Sequence, residues 1–209
     1  MTKKRLFRLP VAFAAGAVVL SLSAMTLYRL DSVIPDPGRK QEQIMSVDGS
    51  TYHYRANKVD IQVTPILLKG IGRYYRTLGL RNPFEDFPPE MNYIFIRLRL
   101  ENLDKHETLE FIPSNTMMGS MMPKDETQLY EMMYKLSDGN KRLVEVGKTF
   151  YFKELNLPPG YWFERLMLFE YKENRPARHM DLVLGNLSTG RNRFDVTFPF
   201  KLKFTKEKR

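Results

Sequence analysis

The amino-acid sequence predicts a mainly β domain: an antiparallel sandwich with one short amphipathic helix, preceded by an N-terminal transmembrane helix. Two observations predict the sandwich. Apolar and polar residues alternate with a period of two in several segments, and turns rich in proline and glycine separate these segments. A third observation predicts the transmembrane helix, since an uncharged run of 20 residues at positions 9–28 follows a cluster of basic residues.

The uncharged run begins after four basic residues in the first eight positions and ends before Arg29. At about 1.5 Å per residue it is roughly 30 Å long, which matches the hydrocarbon core of a bilayer. Basic residues ahead of such a run keep the N-terminus in the cytoplasm. We therefore expect residues 1–30 to be an uncleaved signal-anchor of a single-pass inner-membrane protein, with the C-terminal domain in the periplasm.

A cleaved signal peptide is the alternative for the same segment. Its apolar region would be Val11 to Leu22, with the small residues Ser21, Ser23 and Ala24 near a cleavage site. The sequence has no A-x-A motif there, and apolar residues continue to Tyr28. A lipoprotein is excluded because the chain has no cysteine to carry the lipid.

Charge and cysteine content exclude several function classes. The chain has 33 basic and 24 acidic residues, but five of the basic residues lie in residues 1–30, which have no acidic residue. The remaining chain has 28 basic and 24 acidic residues, a balance that gives little support to nucleic-acid binding. The absence of cysteine excludes a disulfide scaffold, a zinc–thiolate site and a cysteine nucleophile.

Residues 31–50 are polar and contain Pro35, Pro37 and Gly38, which predicts a linker that lifts the domain off the membrane. The predicted extracytoplasmic domain is residues 51–209. Alternation of apolar and polar residues predicts its clearest strands at 59–67, 94–100 and 194–204. In the last strand Pro199 lies on the polar face, which indicates a sheet edge or a bulge. Weaker patterns predict strands at 51–55, 107–112, 148–154, 161–171 and 179–187.

One stretch has helical spacing instead. Between Pro123 and Gly139, the apolar residues Leu129, Met132, Met133 and Leu136 follow the i, i+3, i+4, i+7 pattern of one helix face. We expect this short helix to lie against one opening of the sandwich.

The run at residues 92–104, NYIFIRLRLENLD, resembles the central strand of telokin-like and related immunoglobulin-like modules of bacterial exported proteins. In those modules an apolar strand ends in an asparagine and is followed by a turn and a short strand, here 107–113. The segment LPPG at 157–160, ahead of an apolar strand, is similar to their later proline–glycine element. The resemblance covers residues 58–204 and implies an immunoglobulin-like sandwich that binds or assembles with other proteins and has no catalytic residue. The chain departs from it by the insert at 70–90 and by the helix.

The insert at 70–90 is the first candidate site. Long loops inside compact domains are often functional, and tyrosine, arginine and phenylalanine dominate interface energetics. We therefore predict a protein partner-binding surface, whose residues are Arg73, Tyr74, Tyr75, Arg76, Phe84 and Phe87. Two alternatives stay open: the insert folds back over a sandwich edge and buries its aromatics, or its arginines bind an anionic lipid head group or a sugar phosphate.

The second candidate is a methionine cluster. Its four members could serve as soft thioether ligands for Cu(I), and they are Met117, Met118, Met121 and Met122. His106 and the pair His179–Met180 could add ligands if the fold brings them close. The alternative is that methionine fills irregular apolar space or forms an adaptable contact surface.

The sequence contains no nucleophile motif, phosphate-binding glycine loop or HExxH motif. The adjacent carboxylates Glu85–Asp86 and Asp125–Glu126 do not have the spacing of a hydrolytic pair. We therefore expect a non-catalytic, membrane-anchored module that docks an envelope protein and needs no cofactor, with copper binding as the alternative function.

Overall fold

Two antiparallel sheets and three short helices make up the part of the chain that the structure describes. The structure is a computed structural model that describes residues 27–39, 45–172 and 176–207. Sheet I contains Leu27–Pro35 (β1), Leu109–Phe111 (β6), Thr116–Met118 (β7), Leu155–Leu157 (β8), His179–Thr189 (β10) and Asn192–Glu207 (β11). Sheet II contains Met45–Asp48 (β2), Thr51–Ala56 (β3), Val59–Leu67 (β4), Tyr93–Asn102 (β5) and Trp162–Glu170 (β9). The helices are Leu68–Thr77 (α1), Glu126–Tyr134 (α2) and Gly139–Thr149 (α3).

The strand order confirms the prediction of a mainly β, sandwich-like fold. Sheet I has the order β1-β11-β10-β6-β8, with β7 also paired to β10, and sheet II has the order β2-β3-β4-β5-β9. The three clearest predicted strands correspond to β4, β5 and β11. Four of the five weaker predictions contain or overlap β3, β6, β9 and β10. The prediction of a strand at 148–154 is wrong, because α3 extends to Thr149 and no strand follows before β8.

The main core lies between the two sheets. Apolar side chains of β4, such as Ile61 and Val63, belong to the same buried cluster as Phe198 of β11. The Tyr52 ring contacts the Phe198 ring at 5.6 Å between centroids, and its hydroxyl donates to the carbonyl oxygen of Pro199 at 2.6 Å. This hydrogen bond joins sheet II to sheet I. Burial raises the pKa of Tyr52 to about 12, because the charged form would have to lie between the sheets.

A second core lies on the outer face of sheet II, where the helices cover one end of the sheet. The first half of β5 is buried on both faces: Ile94 and Ile96 belong to the main core, and Tyr93 and Phe95 belong to the second core. The outer face of the second half is only partly buried, for example at Arg97. The molecule therefore has three layers at one end and two at the other.

The helical layer contains the predicted helix, but the prediction of a single helix at an opening of the sandwich is wrong: the described residues form three helices, and α2 packs on the outer face of sheet II. α2 is confirmed: Asp125 accepts a hydrogen bond from the backbone N–H of Gln128 at 2.8 Å, which caps the helix, while Leu129 and Met133 are buried. The insert at 70–90 is not a continuous loop, because its first third lies in α1.

The expectation of a linker over residues 31–50 is wrong for residues 31–35 and 45–48. Residues 31–35 belong to β1, which pairs with β11 from Leu27–Glu207 to Pro35–Phe200. Residues 45–48 form β2, which pairs with β3 in sheet II. β1 ends at Pro35, and just beyond it the N–H of Asp36 donates to the Pro199 carbonyl oxygen at 2.9 Å. Proline has no N–H to donate in return, so the ladder between β1 and β11 ends here. Pro199 is buried, so the prediction that it lies on the polar face is wrong. Most of the predicted transmembrane run, residues 9–26, lies outside the described residues. Within the described ranges no helix has the length and hydrophobicity needed to cross a bilayer.

The asparagine that ends β5 organises the turn that follows it. Asn102 is fully buried, and its amide donates to the carbonyl oxygens of Glu107 and Leu157 at 2.8 Å each. Its side-chain oxygen accepts from the N–H of Asp104 at 2.9 Å. The Asp104 carboxylate in turn lies 2.8 Å from Lys58 Nζ. The hydrogen bond from Lys58, reinforced by backbone N–H groups of the turn, lowers the pKa of Asp104 well below its ordinary value.

Candidate functional site

The aromatic residues of the insert are mostly buried, which corrects the prediction that they form a surface. Tyr74 is 8% exposed, Tyr75 is 0% exposed and Phe84 is 2% exposed, and Phe87 is partly buried against the same core. A side chain in this position cannot touch a partner unless the domain opens. The alternative in which the insert folds back and buries its aromatics is the better description, although the surface it covers is a sheet face and not an edge.

Specific contacts hold the insert on sheet II. The Phe84 ring lies 4.8 Å from the Phe95 ring between centroids, in an edge-on arrangement. The Tyr75 hydroxyl and the Thr149 hydroxyl are 2.9 Å apart, which joins α1 to α3. Burial raises the pKa of Tyr75 far above its ordinary value, so its hydroxyl is neutral at physiological pH.

A buried arginine fastens the second part of the insert. The Arg142 side chain on α3 is 1% exposed, and its guanidinium donates to the Pro83 carbonyl oxygen at 2.7 Å and to the Asp86 carboxylate. Arg81 bonds Glu85 at 2.5 Å and Asp138 at 3.4 Å. Glu85 and Asp86 are therefore engaged in ion pairs, and this arrangement is structural.

Arg73 and Arg76 are the two predicted partner-binding residues that remain on the surface. Arg73 lines a groove of about 630 Å³ between β1, β4 and α1. Arg97 and Lys69 also line this groove, and Lys69 is paired with Asp31 at 3.1 Å. The groove is thus amphipathic, with apolar walls and a basic rim.

The four predicted metal-ligand methionines do not lie on one face. Met117 and Met118 are neighbours on β7, so they point to opposite sides of sheet I: Met117 is 43% exposed and Met118 is 0% exposed. Met121 is partly buried against the main core, and Met122 is 60% exposed. The turn between Met118 and Met121 is closed by two backbone hydrogen bonds of 2.9 and 3.0 Å.

Other candidate ligands are similarly separated. Met180 approaches the turn, since a Cβ built on Gly119 would lie 3.3 Å from its Sδ atom. His179 points the other way along β10, and its Nδ1 lies 2.8 Å from Asp36 Oδ2. In the part of the chain that the structure describes, no group of three or more His, Cys, Asp or Glu side chains could hold a metal ion.

A cleft of about 580 Å³ opens beside the methionine turn, and we call it the methionine cleft. Its apolar walls include Met121, Met122, Tyr151 and Phe152, and its charged residues are Lys124, Asp125, Glu170 and Lys172.

Three charged residues of the methionine cleft form one ion-pair chain. Glu170 lies 2.8 Å from Lys124 Nζ and 3.1 Å from Lys172 Nζ. Burial disfavours the charged form of Glu170, but the hydrogen bonds from both lysines outweigh it and lower the pKa of this carboxyl group. Sequence reasoning missed Lys124, Glu170 and Phe152 as site residues, because they come from separate segments and share no local motif.

Comparison of the chain with protein-family models, curated protein sequences and solved structures finds no match. The function is therefore inferred from the geometry of the groove beside Arg73 and of the methionine cleft.

Proposed function

We propose that the chain is a membrane-anchored, extracytoplasmic module of immunoglobulin-like type, which docks a protein of the cell envelope and is not an enzyme. The anchor is the uncharged run at 9–28, shortened at its C-terminal end because Leu27 and Tyr28 lie in β1. A span of residues 9–26 would be about 27 Å long at 1.5 Å per residue, which is close to the hydrocarbon thickness of a bilayer.

The observation that supports docking is the methionine cleft. Both cores of the domain are filled without Met122, whose side chain remains 60% exposed next to Phe152. Methionine side chains are flexible and polarizable, so they adapt to partner surfaces of different shape. The volume of about 580 Å³ is enough to accept one or two partner side chains.

The charged rim favours a protein over a small molecule. Lys124 and Lys172 are both paired with Glu170, and the Asp125 carboxylate accepts a hydrogen bond from the backbone N–H of Gln128, so the charged groups of the cleft are engaged within the domain and not directed at a small ligand. An apolar centre with a polar rim is the arrangement of protein interfaces.

Photo-crosslinking in the native membrane tests this function. A photo-reactive amino acid replaces Met122 in the cleft, or Met117 as a matched control, which is also exposed but does not line the cleft. We expect one discrete protein adduct from position 122 only, and the purified adduct partner should bind Met122→Glu at least tenfold more weakly than Met117→Glu. Equal binding by the two variants would refute docking at the cleft.

Arg73 and Arg76 stay predicted partner contacts, because both remain exposed on α1. An Arg73→Glu/Arg76→Glu variant tested against the same purified partner separates the two surfaces. Weaker binding by this variant assigns the arginines to the interface, and unchanged binding removes them from it.

Copper binding remains the second candidate, because the structure brings Met180 next to the methionine turn. Anaerobic titration of the chain with Cu(I) should then show a site that is weakened in a Met121→Leu/Met180→Leu variant. Identical titration curves for the two proteins would end this hypothesis.

A further inference from the structure

The described domain begins directly where the predicted membrane segment ends. β1 starts at Leu27, and from that residue onward its backbone is paired with β11. Asn92, just before β5, fastens the same end: its amide donates to the Tyr28 carbonyl oxygen at 2.9 Å, and its side-chain oxygen accepts from the N–H of Leu30 at 2.7 Å. These contacts leave no free chain between residue 26 and the folded domain.

We propose that this end of the sandwich lies on the bilayer and binds the head groups of anionic phospholipids. The surface, here called the anchor-end surface, consists of Tyr28, Arg29, Met91, Lys172 and Lys206. The proposal rests on the membrane anchor of the proposed function, and it replaces the expected linker with direct contact between domain and membrane.

The position of the anchor-end surface follows from the pairing of the chain. Glu207 pairs with Leu27, so Lys206 lies beside the point where the chain leaves the domain towards the membrane segment. The N–H of Tyr171 donates to the Asn92 carbonyl oxygen at 2.9 Å, which brings Lys172 to the same end. All of these residues therefore lie near Leu27, the point at which the described domain would meet the bilayer.

The chemistry of the anchor-end surface fits an anionic interface. Lys206 Nζ lies 6.0 Å from the centre of the Tyr28 ring, and tyrosine and lysine are the residues that occupy the head-group region of membrane proteins. The Lys172 side chain is 71% exposed, and Met91 is 41% exposed and apolar. The acidic residues nearby are Glu170, which contacts both Lys124 and Lys172, Asp31, which is paired with Lys69, Glu90 and Glu207.

The length of the sandwich provides an internal control. β5 runs away from the anchor-end surface from Tyr93 to Asn102, and ten residues of antiparallel strand span about 30 Å at 3.4 Å per residue. Lys105, in the exposed turn after Asn102, therefore lies at the far end of the domain.

The test uses the full chain, which has no cysteine and can be labelled at single introduced sites. Met91→Cys and Lys105→Cys each carry a spin label in nanodiscs that contain a trace of nickel-chelating lipid. The relaxation that nickel induces in a spin label falls steeply with the distance between the label and the bilayer surface. A difference of about 30 Å in this distance predicts relaxation at least roughly tenfold faster at position 91 than at position 105. Equal relaxation at the two sites would overturn the proposal.

Lipid composition tests the head-group chemistry. Relaxation at position 91 should increase when phosphatidylglycerol replaces part of the phosphatidylcholine. Lys172→Gln/Lys206→Gln should remove at least half of that increase, while Lys135→Gln/Lys141→Gln, at exposed positions after the end of α2 and on α3, should leave it unchanged. No increase, or equal effects of the two double variants, would refute binding of anionic lipid. Co-elution with nanodiscs separates the two proposals: failure to co-elute overturns the anchor together with the surface, and co-elution with slow relaxation at position 91 overturns the surface alone.

Discussion

Replacing Phe84 with alanine should destabilise the domain strongly, because this residue of the insert belongs to the second core. Phe84 is 2% exposed, and its ring contacts four others at centroid distances from 4.8 to 6.3 Å. Removing a buried phenylalanine ring loses its transfer free energy and leaves a cavity, which together cost about 3–5 kcal/mol. We expect the upper half of this range, since sheet II and the helices enclose Phe84 and limit collapse around it.

The assay is equilibrium urea unfolding of the full chain in detergent, followed by far-UV circular dichroism. Arg73→Ala is the matched control from the same insert, and as an exposed position it should change the free energy of unfolding by no more than about 0.5 kcal/mol. If Phe84→Ala lowers this free energy by less than about 1 kcal/mol, well below the cost of losing a buried ring, the ring does not support the core. The aromatic residues of the insert would then be free to contact a protein partner, as the sequence predicts.

Asn102→Leu should lower the free energy of unfolding by about 2–4 kcal/mol in urea denaturation, because the carbonyl oxygens of Glu107 and Leu157 lose their donor and the N–H of Asp104 loses its acceptor. The lowered pKa of Asp104 stabilises the fold fully above the unfolded pKa of about 4, and this contribution is lost as pH falls through the folded value. The free energy of unfolding, measured from about pH 6 down to about pH 2, should therefore fall less for Asp104→Asn than for the native chain, whose Asp104 carboxylate is paired with Lys58. Parallel pH dependences for the two proteins would contradict this assignment. Gly185→Ala should lower the free energy of unfolding by about 1–3 kcal/mol, because the new Cβ would lie 2.7 Å from the backbone carbonyl oxygen of Asn115. Gly147→Ala, on α3 with open space around it, should instead raise the melting temperature, and an equal effect of both substitutions would refute the steric argument.

The strands that the sequence predicted best have long runs of alternating apolar and polar residues. In β4 the buried residues Val59, Ile61 and Val63 alternate with partly buried polar residues, and in β11 apolar and polar residues alternate from Phe194 to Phe204, although Pro199 is buried as well. β1 was missed because a register shift between Leu30 and Ser32 breaks its alternation, which puts its buried residues Leu30 and Val33 three positions apart.

The helices α1 and α3 escaped prediction for a different reason. In α1 the buried residues Ile71, Tyr74 and Tyr75 do have helical spacing, but two glycines among them pointed to a loop. In α3 two of the three buried residues are the polar Arg142 and Thr149, so an apolar pattern was absent. Their burial depends on partners from the insert and from α1, which no local pattern contains.

Tertiary packing also explains why the predicted site residues are divided between the core and the surface. Tyrosine, phenylalanine and arginine dominate both interfaces and irregular cores, so composition alone could not separate these two roles for the insert. The methionine cluster is divided between the main core and the cleft, and this division depends on which side chains β7 turns towards the main core.

The pairing of β1 with β11 also determines how the domain responds to a pulling force. A force applied to the chain ahead of Leu27 and directed away from the domain acts along the axis of β1. The eight paired positions between these strands would then be loaded together in shear, because the hydrogen bonds run perpendicular to the strands. Bonds loaded together share the force, whereas a peeled strand gives way one bond at a time. A chain held at its N-terminus would therefore transmit tension into sheet I through a mechanical clamp.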